Sequence, residues 1–226
     1  MFAYIPARGG SKRIPRKNTF PIFGKPMILH VVDHLLGVDQ LSGIAISTDD
    51  DEIIQLVSNY SAKIHVLTKR SPELSSDNST FMDLVNYDID RYAALFSDTD
   101  VLFTLPTSIL VTSQYYKKAL DAFKTHSQGL LMSVTPNDQS PFLSFVEGDE
   151  GIMPLFPEKF ILPTMDLAQT YLDCGCFYVF NLKRMKGLQK FLDLKPITPI
   201  ILPGNVGIDI DSASDIEKLN QILGKS

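Results

Sequence analysis

The sequence predicts an α/β protein in which helices cover both faces of a mostly parallel sheet. Short apolar runs alternate with helix-length amphipathic segments along most of the 226 residues. The runs are apolar at nearly every position instead of every second one, as strands buried on both faces must be. The composition, 44% hydrophobic and 21% charged with a net charge of -5, is that of a globular chain able to bury a sizeable core.

The elements follow in order. FAYIPA (2–7) is a buried strand broken by Pro6, and it delivers a loop that runs to about Phe23. GKPMILHVVDHLLG reads as a helix, with Pro26 near its start and Gly37 just past its end. GIAIST (43–48) is the second strand, DDDEIIQLVSNY a helix with acids in its first turn, and KIHVLT (63–68) the third strand. A helix from about Ser79 to Phe96, the strand VLFTLP, a helix around Gln114 to His126 and the strand GLLMSVTP continue the alternation.

The pattern changes between about 140 and 175. FLSFVEGDEGIMPLF predicts a hairpin around Gly148 to Gly151, and the next segment carries Pro154, Pro157 and Pro163. Residues 140–172 therefore read as an insertion arm within a single domain spanning 1–226. CGCFYVF and PIILP resume the sheet, and in GIDIDSASDIEKLNQIL either Asp211 or Ser212 can cap a last amphipathic helix.

Several function classes are disfavoured. The longest uncharged apolar runs, such as VLFTLPTSILV (101–111), fall short of the roughly 20 residues that cross a bilayer. With no visible secretory signal, the expected compartment is the cytoplasm. Cys174 and Cys176, one residue apart on an expected strand, read as reduced packing thiols, because the spacing disfavours a disulfide and supplies too few soft ligands for a metal. The acidic balance, with basic residues gathered in one loop, argues against a nucleic-acid partner.

That loop is PARGGSKRIPRKN (6–18). Arg8, Lys12, Arg13, Arg16 and Lys17 lie within ten residues, and no carboxylate precedes Asp33. Gly9 and Gly10 let backbone approach a ligand closely, and exposed amides in such turns make an anion nest. Phosphate is the natural guest, with arginine able to bind two oxygens and lysine acting as a point charge. The stretch has neither the G-x-x-x-x-G-K-[ST] spacing of a P-loop nor the G-x-G-x-x-G of a dinucleotide fold, which disfavours a nicotinamide-dependent oxidoreductase. Asp209 and Asp211, two apart, project to one face of an extended strand and offer hard oxygen ligands for Mg²⁺, or else Asp211 caps the last helix while Asp209 sits in a turn. His30, Asp33 and His34 share a helix face, but the apolar pattern around them reads as packing.

PARGGSKRIPRKN, followed by FGKPMI and STDDDEI, resembles the N-terminal signature of the cytidylyltransferases that activate sialic-acid-type sugars, the CMP-sialic acid synthetase (acylneuraminate cytidylyltransferase) family. KRSPELSSD, LPTS (105–108), CGCFYVFN and DIDSASD resemble successive blocks of that family in order, over nearly the whole chain. DCGCFYVF is most similar to the D-A-G-Q-F-Y block of pseudaminic acid cytidylyltransferases, whereas N-acetylneuraminate enzymes more usually carry N-G-A-I-Y.

The resemblance implies a Rossmann-like three-layer α/β/α nucleotidyltransferase fold and a reaction between CTP and the anomeric hydroxyl of a nine-carbon α-keto acid sugar. The products would be a CMP-sugar and pyrophosphate. It implies that Arg8, Lys12 and Lys17 hold the triphosphate and, with Asp211, serve the transfer. Ala7, Gly9, Gly10, Ser11, Asn18 and Arg70 would border the nucleotide, and Asp209 and Asp211 would hold Mg²⁺. Asp49, Asp50 and Asp51 read as a helix's charged first turn, although the family places S-T-D-D near the nucleotide pocket. The arm, rich in Phe156, Phe160 and Leu162, would swap across a homodimer and close the partner's sugar site. The chain departs from the family at LPTMDLAQTYLD, where Pro163, Thr164 and Met165 stand in place of a basic residue facing the sugar carboxylate; Lys159 and Lys183 are nearby candidates for that role. LPTS lacks the Gln that many sialic-acid enzymes carry before its proline, and Ile109 replaces a common Pro.

Overall fold

The computed structural model describes residues 1–125, 129–149, 151–208 and 210–222. Strand β1 (Phe2–Pro6) ends where the basic loop begins. After a short ribbon of β2 (Pro21–Ile22) and β3 (Lys25–Pro26), helix α1 (Met27–Leu36) starts behind Pro26 and stops at Gly37, as its sequence predicts. There follow β4 (Ile44–Ser47), α2 (Asp51–Ser58), β5 (Ile64–His65), α3 (Pro72–Ser75), α4 (Phe81–Tyr87), α5 (Ile89–Phe96), β6 (Asp100–Thr104), α6 (Ser113–Thr125) and β7 (Leu130–Pro136). The arm forms its own hairpin, β8 (Phe145–Gly148) and β9 (Gly151–Pro154), at the turn expected from the sequence. The chain closes with β10 (Tyr171–Asn181), α7 (Leu182–Met185), β11 (Ile197–Ile201) and α8 (Ala213–Ile222).

Seven strands form one sheet in the order β11-β7-β10-β6-β1-β4-β5. All neighbours are parallel except β10, which runs antiparallel to both β6 and β7. Alternation along β1 sends Ala3 and Ile5 into one core layer with α1 and α6, and Phe2 and Tyr4 into the other with α4 and α5. These two dry layers on either side of the sheet make the three-layer α/β/α architecture.

The helix expected over Ser79 to Phe96 is interrupted at Asp88. Its carboxylate, 1% exposed, accepts the Tyr4 hydroxyl at 2.5 Å and pairs with Arg91 at 3.2 Å. A buried carboxylate must be satisfied, and meeting the sheet at this point divides α4 from α5.

From β1 the chain winds to one side through β4 and β5, and to the other through β6. The strand order reverses between β1 and β6, and in open α/β sheets the crevice beyond the strands' carboxyl ends at such a point is where ligands sit. The basic loop leaves β1 there, and Leu105, Pro106 and Thr107 leave β6 beside it.

Candidate active site

A cleft of about 460 Å³ opens at this reversal. One wall is the first loop, with Arg8, Arg13, Lys17 and Asn18; facing it are Arg70, Ser76, Asp77 and Phe81; Thr107, Gly175, Tyr178 and Asp211 are also in the lining. A recess of about 290 Å³ continues it among Arg8, Ser11, Lys12, Lys17 and Asp77. The structure thus brings Arg8, Ser11, Lys12, Lys17, Asn18, Arg70 and Asp211 around one connected space.

Each of the loop's five cations meets a carboxylate from elsewhere in the chain. Arg8 and Lys12 reach Asp77 at 2.8 and 2.5 Å. Arg13 and Lys17 reach the two oxygens of Asp211 at 2.7 and 2.8 Å, and Arg16 pairs with Glu52. The lining brings Arg8, Lys12, Arg13, Lys17 and Arg70 against two carboxylates, Asp77 and Asp211, which leaves the cleft positive, and low-dielectric walls focus such a field on an incoming anion. Partial burial would raise the Asp211 carboxyl, but the Lys17 hydrogen bond and the charges of Lys17 and Arg13 carry it below the usual carboxylate range. Asp77 is lowered too, first by the hydrogen bond and charge of Lys12 and then by Arg8.

The loop is braced from behind. The Ala7 amide donates to the Ser47 carbonyl at 2.8 Å, and the Gly9 amide donates to Asp49 Oδ1 at 2.9 Å. A Cβ at Gly9 would lie 2.8 Å from Asp50 Oδ2, so only glycine lets this turn pack against the start of α2. Gly10 has no such neighbour. Of the acidic run expected in the first turn of α2, Asp51 stands there, Asp50 caps the helix by accepting the Glu52 amide at 2.8 Å, and Asp49 precedes it and holds the Gly9 amide. Asn18, buried, holds the Arg8 carbonyl at 2.8 Å. With the Gly9 amide given to Asp49 and the Ser11 amide to the Gly9 carbonyl, the loop meets the cleft mainly with side-chain cations.

The opposite wall mixes one buried cation with aromatic surface. Arg70 is 4% exposed, and its Nε donates to Ser75 Oγ at 3.2 Å. Phe81 packs edge-on to Phe103 (4.8 Å between ring centres) and Tyr178 (5.7 Å). The Tyr178 hydroxyl donates to Asp173 Oδ2 at 2.8 Å, and the Gly175 amide donates to Asp173 Oδ1 at 2.9 Å. Burial, reinforced by that carboxylate, raises the Tyr178 phenol well above its ordinary value. Cys174 and Cys176 flank Gly175 in a bulge of β10, where Gly175 takes φ +66°.

Asp77, Phe81 and Tyr178 line the cleft without a site role assigned from the sequence, and Arg13 joins them from the cation run. Arg13 stands in the cation run and Asp77 in KRSPELSSD, which are the signals that could have found them. Of the expected metal pair, Asp211 stands on the cleft wall and Asp209 lies outside the described residues. Among the described residues no three His, Cys, Asp or Glu side chains gather as a metal cluster. The α1 face expected to pack does so only in part: half-buried His30 meets the Ile22 carbonyl through Nε2 at 2.9 Å, whereas Asp33 is exposed, pairs with Lys25 and accepts the Tyr60 hydroxyl at 2.7 Å.

A parallel sheet whose reversal point carries a cationic cleft has the build of a nucleotidyltransferase. Residues 2–144 match the family model described as Cytidylyltransferase. The chain belongs to the cytidylyltransferase family. It is 31% identical to a pseudaminic acid cytidylyltransferase of Campylobacter jejuni over 94% of this chain and 91% of that one. It is 30% identical to a CMP-N,N'-diacetyllegionaminic acid synthase of Legionella pneumophila, over 98% and 97% of the two chains. Its fold superposes on a CMP:2-keto-3-deoxy-manno-octonic acid synthetase complexed with CTP, at TM-score 0.69 and 18% identity, covering 99% of this chain and 98% of that one. No described helix is long and apolar enough to cross a membrane.

Proposed function

We propose that this chain transfers the cytidylyl group of CTP to the anomeric hydroxyl of a nine-carbon α-keto acid sugar, with pseudaminic acid the first candidate, releasing pyrophosphate. The observation that carries the reading is the meeting of the first loop's cations with Asp211 in one cleft. In phosphoryl transfer the protein contributes positioning and charge neutralisation more than covalent chemistry, and this cleft is equipped for both. Arg8, Lys12 and Lys17 would neutralise the triphosphate. Arg70, a buried guanidinium whose one hydrogen bond among the described residues is to Ser75, has donors left for the nucleotide. Ala7, Gly9, Gly10, Ser11 and Asn18 would set the loop that carries the cations.

The donor chemistry fits Mg²⁺, which is held by one or two carboxylates and completes its shell with water and substrate phosphates. Asp211, with Asp209, would supply those carboxylates, and the ion, when bound, would take up charge on the phosphates. The acceptor assignment is supported by the Campylobacter relative together with the D-x-G-x-F-Y text of Asp173 to Tyr178. The Legionella relative makes legionaminic acid the next candidate.

The arm 140–172, within a single domain of 1–226, would pair two copies as a homodimer, and the reaction would belong to the cytoplasm. The experiment is incubation with CTP, Mg²⁺ and, separately, pseudaminic, legionaminic and N-acetylneuraminic acids, identifying any CMP conjugate by mass. A conjugate with pseudaminic acid is the expected result. Conjugation of another acid alone would reassign the acceptor, and no conjugate with any of the three would overturn the reading.

A further inference from the structure

Arg8 and Lys12 come from one wall of the cleft, and the carboxylate that neutralises both comes from the other. Asp77 places Oδ1 2.8 Å from an Arg8 guanidinium nitrogen and Oδ2 2.5 Å from Lys12 Nζ. One oxygen for each of two cations is the arrangement a phosphate group would adopt between them. Among the described residues Asp77 makes no other side-chain hydrogen bond or ion pair.

The segment bearing Asp77 is fixed at both ends and thin between them. Ser71 caps α3 by accepting the Leu74 amide at 3.5 Å, and Thr80 and Asp83 form a reciprocal capping box at the start of α4. Only Ser76 to Thr80 lie between these two anchored helices. Behind them is a second hollow of about 600 Å³, bordered by Glu73, Asn78, Asp83 and Arg91 and sharing Ser76 and Ser79 with the cleft. The Asp77 side chain is 46% exposed and Lys12 82%, so neither partner must be stripped from an apolar site for the pairs to part.

We propose that Asp77 is an internal stand-in for phosphate. It holds Arg8 and Lys12 in position before substrate binds, yields them to the phosphates of CTP, and competes with pyrophosphate for them after transfer, so that product leaves. This rests on the reading that Arg8 and Lys12 hold the triphosphate. Asp77 is then a positioning residue with a cost in affinity: its charge weakens anion binding, so its removal tightens that binding, whereas removal of a merely structural residue weakens it or leaves it unchanged.

The test is titration of CTP and of inorganic pyrophosphate into the wild-type chain and the variants Asp77→Asn, Asp77→Ser and Arg8→Ala, each first checked for an unchanged melting temperature. Loss of two exposed ion pairs predicts pyrophosphate binding roughly three- to tenfold tighter in both Asp77 variants. Pyrophosphate inhibition of turnover should deepen by the same factor, while Arg8→Ala binds it more weakly. Equal or weaker pyrophosphate binding in the folded Asp77 variants would overturn the inference, while the weakened Arg8→Ala would still uphold the phosphate site. Failure of the wild-type chain to bind CTP would instead remove the site reading and this inference with it.

Discussion

Lys17 Nζ lies 2.8 Å from Asp211 Oδ1, joining two residues 194 positions apart across the mouth of the cleft. The contact ties the loop after β1 to the segment that leads into α8. If Asp211 is the carboxylate that meets Mg²⁺ and phosphate, Asp211→Ala should lower turnover by at least about a hundredfold, the scale of losing one preorganised charge-stabilising group. The residue is only partly buried, so the far-ultraviolet spectrum and cooperative melting should persist. Near-normal turnover would reject its role.

The same contact has a pH signature. The folded-state pKa of Asp211 is depressed, so its pairing contributes stability that is fully present above the unfolded carboxylate range, near pH 4, and is lost as pH falls through the lower folded value. Melting curves of the wild-type chain and Lys17→Met should therefore differ at pH 6 and converge as the pH falls through the lowered Asp211 value. A gap that stays constant with pH would show that Lys17 stabilises the fold by packing and not by charge.

Lys12 is 82% exposed on its side chain and contributes little packing. If it neutralises charge that grows on the leaving phosphates, Lys12→Ala should reduce kcat by roughly ten- to a hundredfold with a smaller change in KM for CTP. Steady-state kinetics at saturating sugar separates the two. A rise confined to KM would assign Lys12 to ground-state binding.

The neighbouring glycines should behave differently from each other. At Gly9 an added methyl would meet Asp50 Oδ2 at 2.8 Å and its Cβ at 3.0 Å, and Asp50 is held by capping α2. Gly9→Ala should therefore shift the loop and cost more than about tenfold in kcat/KM, since a misplacement of about 1 Å is worth up to a hundredfold. Gly10→Ala meets nothing within 4 Å and should stay within about twofold of wild type. Equal losses at the two positions would mean that flexibility, not close approach, is what the loop requires.

What could be read from the sequence was governed by local chemistry. The βα rhythm, the Pro26 and Gly37 bounds of α1, the arm hairpin and the cation loop all follow from signals within a few residues. What escaped depends on distant partners. Asp88 interrupts the helix over 79–96 because Tyr4, 84 positions earlier in the chain, takes its carboxylate. An apolar strand reads alike in either direction, so the antiparallel course of β10 is fixed only by its neighbours β6 and β7. KRSPELSSD marks a block but not the role of Asp77 in it, because nothing local shows that Arg8 and Lys12 will face that carboxylate. The adjacent glycines read as equivalent, and only the packing of Asp50 against the loop distinguishes them.

The arm supports the last prediction. Ile152, Ile161 and Met165 are 72, 83 and 91% exposed, and Phe145, Met153 and Leu172 of the same segment are also exposed. Large apolar side chains gathered and exposed in one arm are costly in water and mark an interaction site. A second copy of the chain is the partner we propose, so sedimentation should find a dimer at micromolar concentration. Ile161→Glu combined with Met165→Glu should yield monomers, because burying two carboxylates in an apolar interface is opposed by their desolvation. The cations that would hold the triphosphate lie in the loop after β1, remote in sequence from the arm, so the monomeric variant should keep CTP binding while losing sugar transfer. A wild-type chain that sediments as a monomer with full activity would show that the arm closes nothing across a dimer.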